Sequence, residues 1–162
     1  MVSEPDPQHD DEPAQGGQRH FFGAIPVFLV DDIVTTMEYY GRVLGFEVNF
    51  IYGEPPVYGS VSRNDAIINF CRSDPPGRHN GVATAGAGNG VDAYIVVEDV
   101  DDLCAELKYL GAKVVVEPES HDYGMRELQI EDCNGYQLVL AQEIQGETSQ
   151  QPDTGASPQT PG

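Results

Sequence analysis

The chain has 162 residues, 27 acidic and 8 basic, and a net charge of −19 at neutral pH. That length suits one folded domain with tails, and a negative field argues against nucleic acid or anionic membranes as partners and for cationic ligands. The three cysteines (Cys71, Cys104, Cys133) form no CxxC pair, which removes zinc-knuckle and dithiol redox chemistry and fits a reduced, cytoplasmic chain.

In chain order, residues 1–20 are acidic, rich in proline and glycine, and lack apolar periodicity. They read as a disordered tail, as do residues 144–162 with their Gln, Thr, Ser, Pro and Gly. The working domain is therefore 21–143, which carries 20 acidic residues against 7 basic ones, a net charge of −13. Such a charge speaks to solubility as readily as to partners. The early apolar run 21–30 is too short for a membrane span and follows acidic residues, unlike a signal peptide.

Residues 24–30 form a β-rich apolar run. Asp32 is placed to cap a helix whose inner stripe is Ile33, Met37, Tyr40 and Leu44, with Gly45 as its stop. Strands are predicted over 46–52, 57–62 and 66–71, the last two joined by a hairpin turn at Arg63-Asn64-Asp65. Residues 72–90, rich in Gly, Pro, Ala and Asn, read as a linker. The pattern then repeats: a strand over 91–97, a helix capped by Asp99 with Val100, Leu103, Leu107 and Leu110 inward, a stop at Gly111, and strands over 112–117, 125–130 and 136–141. Asp132-Cys133-Asn134-Gly135 reads as a tight turn whose Asn-Gly suits positive φ. From the capping Asp to Leu-Gly is 12 residues in the first copy and 11 in the second. The reading is α+β, two βαβββ modules at 21–72 and 91–143, with a ligand cleft between the sheets.

Three segments carry a family resemblance: Ala24-Ile25-Pro26-Val27 with Asp32 and Leu44-Gly45-Phe46; Tyr58-Gly59-Ser60-Val61-Ser62-Arg63-Asn64-Asp65; and Tyr123-Gly124-Met125-Arg126-Glu127 followed by Asp132-Cys133-Asn134-Gly135, where Cys133 stands at a usual proline. The set resembles the vicinal oxygen chelate superfamily, which includes glyoxalase I, extradiol dioxygenases and fosfomycin- and bleomycin-resistance proteins. It most resembles the bleomycin-resistance branch. The resemblance implies the glyoxalase/bleomycin-resistance fold and a homodimer that exchanges its opening strand near Pro26 and holds ligands in grooves at the subunit interface.

By the same resemblance, metal ligands would fall at Ile25, about Asn69, Asp92 and Val139. Only Asp92 suits a divalent ion, and a metal site needs three or more donors, so no metal and no cofactor is expected. The histidines His9, His20, His79 and His121 match none of these positions and read as loop residues, with His121 nearest the pocket rim. No nucleophile constellation or phosphate loop is present.

Tyr58 and Tyr123 fall near where bleomycin-binding proteins carry aromatic residues that stack on the drug, and an aromatic face also attracts cations. Strand alternation groups Ile25, Val27 and Leu29 on one face and Asp92, Tyr94 and Val96 on another. The expected ligand-binding set is Tyr58, Asn69, Asp92, Tyr94, Tyr123, Met125 and Gln137, with Glu47, Glu54 and Glu127 adding negative potential. The function expected is non-catalytic sequestration of a cationic, aromatic antibiotic of the bleomycin type. The alternatives are a metal-dependent lyase or dioxygenase of the same superfamily, and a binder or sensor of another small molecule.

Overall fold

A computed structural model describes residues 23–74 and 90–144. The two expected tails, the interior of the linker, and His9, His20 and His79 lie outside the described residues. The elements run β1 (Val27–Val30), α1 (Ile33–Leu44), β2 (Glu47–Tyr52), β3 (Tyr58–Arg63), β4 (Ala66–Arg72), β5 (Ala93–Val96), α2 (Val100–Tyr109), β6 (Lys113–His121), β7 (Met125–Glu131) and β8 (Gln137–Glu143). The predicted βαβββ order holds in both modules. Each module builds its own four-stranded sheet, ordered β1-β4-β3-β2 and β5-β8-β7-β6.

Local chemistry sets the helix ends. The Asp32 carboxylate accepts the Thr35 N–H at 2.7 Å, and that bond holds its pKa below the usual carboxylate value. Asp99 accepts from the N–H groups of Asp101 and Asp102. Gly45, at φ 71°, closes α1 in the left-handed conformation that a side chain disfavours. Gly59 lets α1 settle onto β3, because a Cβ there would run into Met37.

Strand ends differ from the sequence reading most at β1, β5 and β6, with β5 trimmed from 91–97 to Ala93–Val96. β1 is shorter, starting at Val27 instead of residue 24. β6 is longer and runs through Pro118 to His121. It is an edge strand with two register shifts, and an edge tolerates a proline that donates no ladder bond.

The helix-covered faces of both sheets join in one core. Phe28, Ile68 and Phe70 of the first module and Leu128, Leu138 and Leu140 of the second lie in a single buried cluster with Met37, Tyr40, Cys104 and Leu107. The Asp132–Gly135 turn reaches across this junction. Asp132 is buried; one oxygen accepts the N–H groups of Asn134 and Tyr136, each at 2.8 Å, and the other accepts the Tyr40 hydroxyl at 2.9 Å. Tyr136 stacks on Phe28 at 4.1 Å and clips β1 by exchanging hydrogen bonds with Leu29 N–H and C=O. The expected Asn-Gly hairpin is thus a longer turn organised by Asp132, with only Gly135 at positive φ.

Burial raises the Asp132 pKa despite those donors, and also drives the Tyr40 hydroxyl upward. The folded chain therefore binds the Asp132 proton more tightly than the unfolded chain, so this group's contribution to stability falls as pH rises from the unfolded carboxylate value through the folded one. Asp132→Ala, which strands three buried donors, should cost about 2–4 kcal/mol in chemical denaturation. Asp132→Asn should flatten the acid-side slope of stability against pH; an unchanged slope would remove Asp132 as its source.

Candidate ligand-binding faces

The sheet faces opposite the helices are open. On the first sheet, Asn69 lies opposite Val27 and Ser60, Tyr58 opposite Tyr52 and Cys71, and Phe50 opposite Ser60. Tyr58 and Phe50 stack with ring centres 6.2 Å apart. Asn49 occupies a register irregularity in β2, donates to Ser60 and accepts from Ser62. The result is an aromatic pair beside a small polar patch, bordered by exposed Val27 and Ile67.

On the second sheet, Glu127 is the hub. One carboxylate oxygen accepts the hydroxyls of Tyr94 at 2.7 Å and Tyr123 at 3.0 Å. The other lies 3.7 Å from His121 Nε2. The His121 and Tyr123 rings stack at 4.9 Å, nearly parallel. Tyr94 and Tyr123 remain 48% and 65% exposed, so their rings are available to a partner. Burial together with the Glu127 carboxylate pushes the Tyr94 hydroxyl up to about 12 and raises that of Tyr123.

Gln137 lies next to this cluster, accepting from Gln129 and donating to Glu131, which also pairs with Lys113. Met125 faces His121 across the β6–β7 pairing. Asp92 has a structural task, because one of its oxygens accepts the Gln137 N–H at 2.8 Å and anchors the start of β5.

Six of the seven expected residues thus fall on two faces of one chain, and Asp92 anchors the start of β5. Tyr94 and Tyr123 meet through Glu127 on the second sheet, with Met125 at one end of the β7–β8 ladder and Gln137 at the other; Tyr58 and Asn69 lie on the first. The two faces do not close on each other, since the sides of the sheets that meet are those covered by helices. Sequence reading missed Phe50, Asn49 and Gln129. Alternation back from Tyr52, which lies opposite Tyr58, reaches Phe50, whereas alternation forward from Val48 is thrown out of phase at Asn49.

The metal positions implied by the fold can be tested against these faces. Val27 lies directly opposite Asn69, and Tyr94 directly opposite Val139. Ile25 and Asp92 each precede these pairs by two residues. One carboxylate (Asp92), one amide (Asn69) and two aliphatic side chains (Ile25, Val139) do not make a divalent-metal site, and Val27 and Tyr94 at the paired positions add only an aliphatic chain and a phenol. Among the described residues, no three His, Cys, Asp or Glu side chains converge to hold an ion. The residues present do not fit the metal.

A family model, described as the Glyoxalase/Bleomycin resistance protein/Dioxygenase superfamily, matches residues 17–140, and the chain belongs to that superfamily. No curated protein sequence matches the chain. Among solved structures, the chain is similar to the bleomycin-binding protein from bleomycin-producing Streptomyces verticillus, complexed with copper(II)-bleomycin. That likeness is 25% identity over 79% of this chain and 99% of the other, with a TM-score of 0.56. It is also similar to a glyoxalase-related enzyme from Clostridium phytofermentans, at 17% identity over 78% and 98% with a TM-score of 0.63. TioX from Micromonospora sp. ML1 matches at 16% identity over 74% and 97%, with a TM-score of 0.59. No helix among the described residues is long and apolar enough to cross a membrane.

Replacing Glu127 by Gln removes the charge that adds to burial in raising both phenols. The titration midpoint of Tyr94, followed by tyrosinate absorbance, should then move down from about 12 toward the ordinary value of 10.0. No movement would dissociate Tyr94 from Glu127.

Proposed function

We propose that this protein is a non-catalytic binder of a cationic, aromatic small molecule of the bleomycin type, acting as a homodimer. The observation that carries the reading is the Glu127 cluster: two half-exposed phenols and an imidazole gathered around one carboxylate. A flat cation stacked over Tyr94 or Tyr123 would meet ring faces and a negative charge together. His121 already occupies such a place, parallel to Tyr123.

The two separate faces support dimerisation. Val48, Phe50, Ile51 and Tyr52 are all exposed along β2, with Val27 and Ile67 nearby. So much apolar surface on one sheet is unusual for a monomer. Bringing the Tyr58–Phe50 pair of one subunit over the Glu127 cluster of another would enclose a groove with aromatic walls, a polar floor and negative charge. Binding would need no bond chemistry, since lowering the free concentration of an antibiotic is protection enough. The likeness to the Streptomyces verticillus protein supports this ligand class, and the lack of a fitting donor set weighs against a metal-dependent lyase or dioxygenase.

The test is calorimetric titration of the full chain with metal-free and copper-loaded bleomycin at low and high salt, together with sedimentation equilibrium. The expected result is a dimer that takes one drug per subunit, more weakly as salt screens the negative groove. Tyr58→Ala combined with Tyr123→Ala should weaken binding by roughly tenfold to a hundredfold, since buried aromatic anchors dominate such sites, with little change in melting temperature. A folded protein that gives no heat with either drug form would sink this ligand class.

A further inference from the structure

The two modules superimpose by register, and their junctions differ. Val27 lies opposite Asn69 and Tyr94 opposite Val139, so Phe28 corresponds to Ile95, Leu29 to Val96, and Tyr136 to Ala66. The helix caps Asp32 and Asp99 keep the same offset, which matches Thr36 with Leu103 and Tyr40 with Leu107. At the first junction, the turn of the second module delivers Tyr136 onto Phe28 and caps Leu29. At the second, the β3–β4 turn is two residues long, from Arg63 to Ala66, and a methyl group stands where the phenol would be.

Among the described residues, nothing fills that second junction. A half-open cavity of about 720 Å³ is lined by Ala66, Phe46, Ile95, Val96, Leu103 and Leu107, among others. Val97 N–H bonds to β8 at 2.8 Å, so the neighbouring N–H and C=O of Val96 point away from β8, off the free edge of the sheet. These are the groups whose counterparts on Leu29 are met by the Tyr136 hydroxyl. Around the mouth stand Asp65, Glu98, Asp102 and Glu106. Glu106 is neutralised by a two-pronged contact from Arg63, whereas Asp65, Glu98 and Asp102 make no ion pair among the described residues.

We propose that this cavity is a second small-molecule site, separate from the open sheet faces, and that it takes a phenolic amine. The molecule's own other junction supplies the template: a phenol ring lying on the apolar floor, its hydroxyl bonded to the Val96 main chain as Tyr136 is bonded to Leu29. The three carboxylates at the mouth select an ammonium group on the ring's tether. Phenols with a carboxylate tether are repelled by the same charges.

The experiment is amide NMR of the full chain titrated with tyramine, with phenethylamine (no hydroxyl) and with tyrosol (no charge). Tyramine should shift the signals of Ile95, Val96, Val97 and Leu103 saturably. Each analogue should bind roughly tenfold more weakly, as expected for one lost hydrogen bond or charge contact. Ala66→Tyr fills the cavity from within and should abolish the shifts. Should that variant not fold, Glu98→Gln with Asp102→Asn should reduce tyramine to the affinity of tyrosol. No saturable shifts at these residues, three probes of equal affinity, or shifts that survive the substitutions would overturn the proposal. So would contacts of residues 17–22 with Val96 in the unliganded chain, which would make the N-terminal arm the occupant.

Discussion

A single buried carboxylate holds the two halves of this chain in register. Asp132 belongs to the β7–β8 turn, yet its partners reach from that turn to Tyr40 on α1. Burying it costs free energy, and three hydrogen bonds offset that cost. The same turn then presents Tyr136, whose ring and hydroxyl occupy the edge of β1. No ladder joins the two sheets, so this clasp and the core beneath it set where each open face looks.

With the helices turned inward, each sheet has one dry face and one face left to solvent. The dry faces are apolar at their centre, with Arg63 and Arg126 at the margin reaching Glu106 and Asp101 of α2. The open faces mix aromatic, amide and carboxylate groups, and in the second sheet these converge on Glu127. A carboxylate with two phenol donors is already satisfied, so this face presents a shaped and negative surface instead of a bare charge. The paired positions on the two open faces are Val27 with Asn69 and Tyr94 with Val139, a set with one amide and one phenol as its polar groups.

The two junctions show how small a change makes a cavity. Tyr136 and Ala66 hold equivalent register positions, and the difference between a phenol and a methyl separates a filled interface from an open one. The edge of β1 is capped from within the chain, whereas the matching edge of β5 borders a cavity. Duplicated modules need not be equally packed, because each is completed by the other's turn and the turns differ in length.

The sequence by itself determined the duplication, both helix caps, the stop at Gly45 and all eight strands, because these depend on neighbours within a few residues: Asp before a helix, Gly at positive φ, alternation along a strand. It also placed Tyr58, Asn69, Tyr94, Tyr123, Met125 and Gln137 on strands or turns that do lie at the open faces. What it could not determine was which of them meet. Tyr94 on β5 meets Tyr123 through Glu127 on β7, two strands across the sheet, and the irregularity at Asn49 puts Phe50 out of phase with Val48. Asp92 reads as a ligand and serves as a main-chain anchor, because its partner, Gln137, lies 45 positions away along the chain. The Asp132 clasp, the outward turn of both open faces and the hollow beside Ala66 were decided only in three dimensions, since they arise from contacts between modules, and local propensity carries no information about a surface supplied by a distant part of the chain.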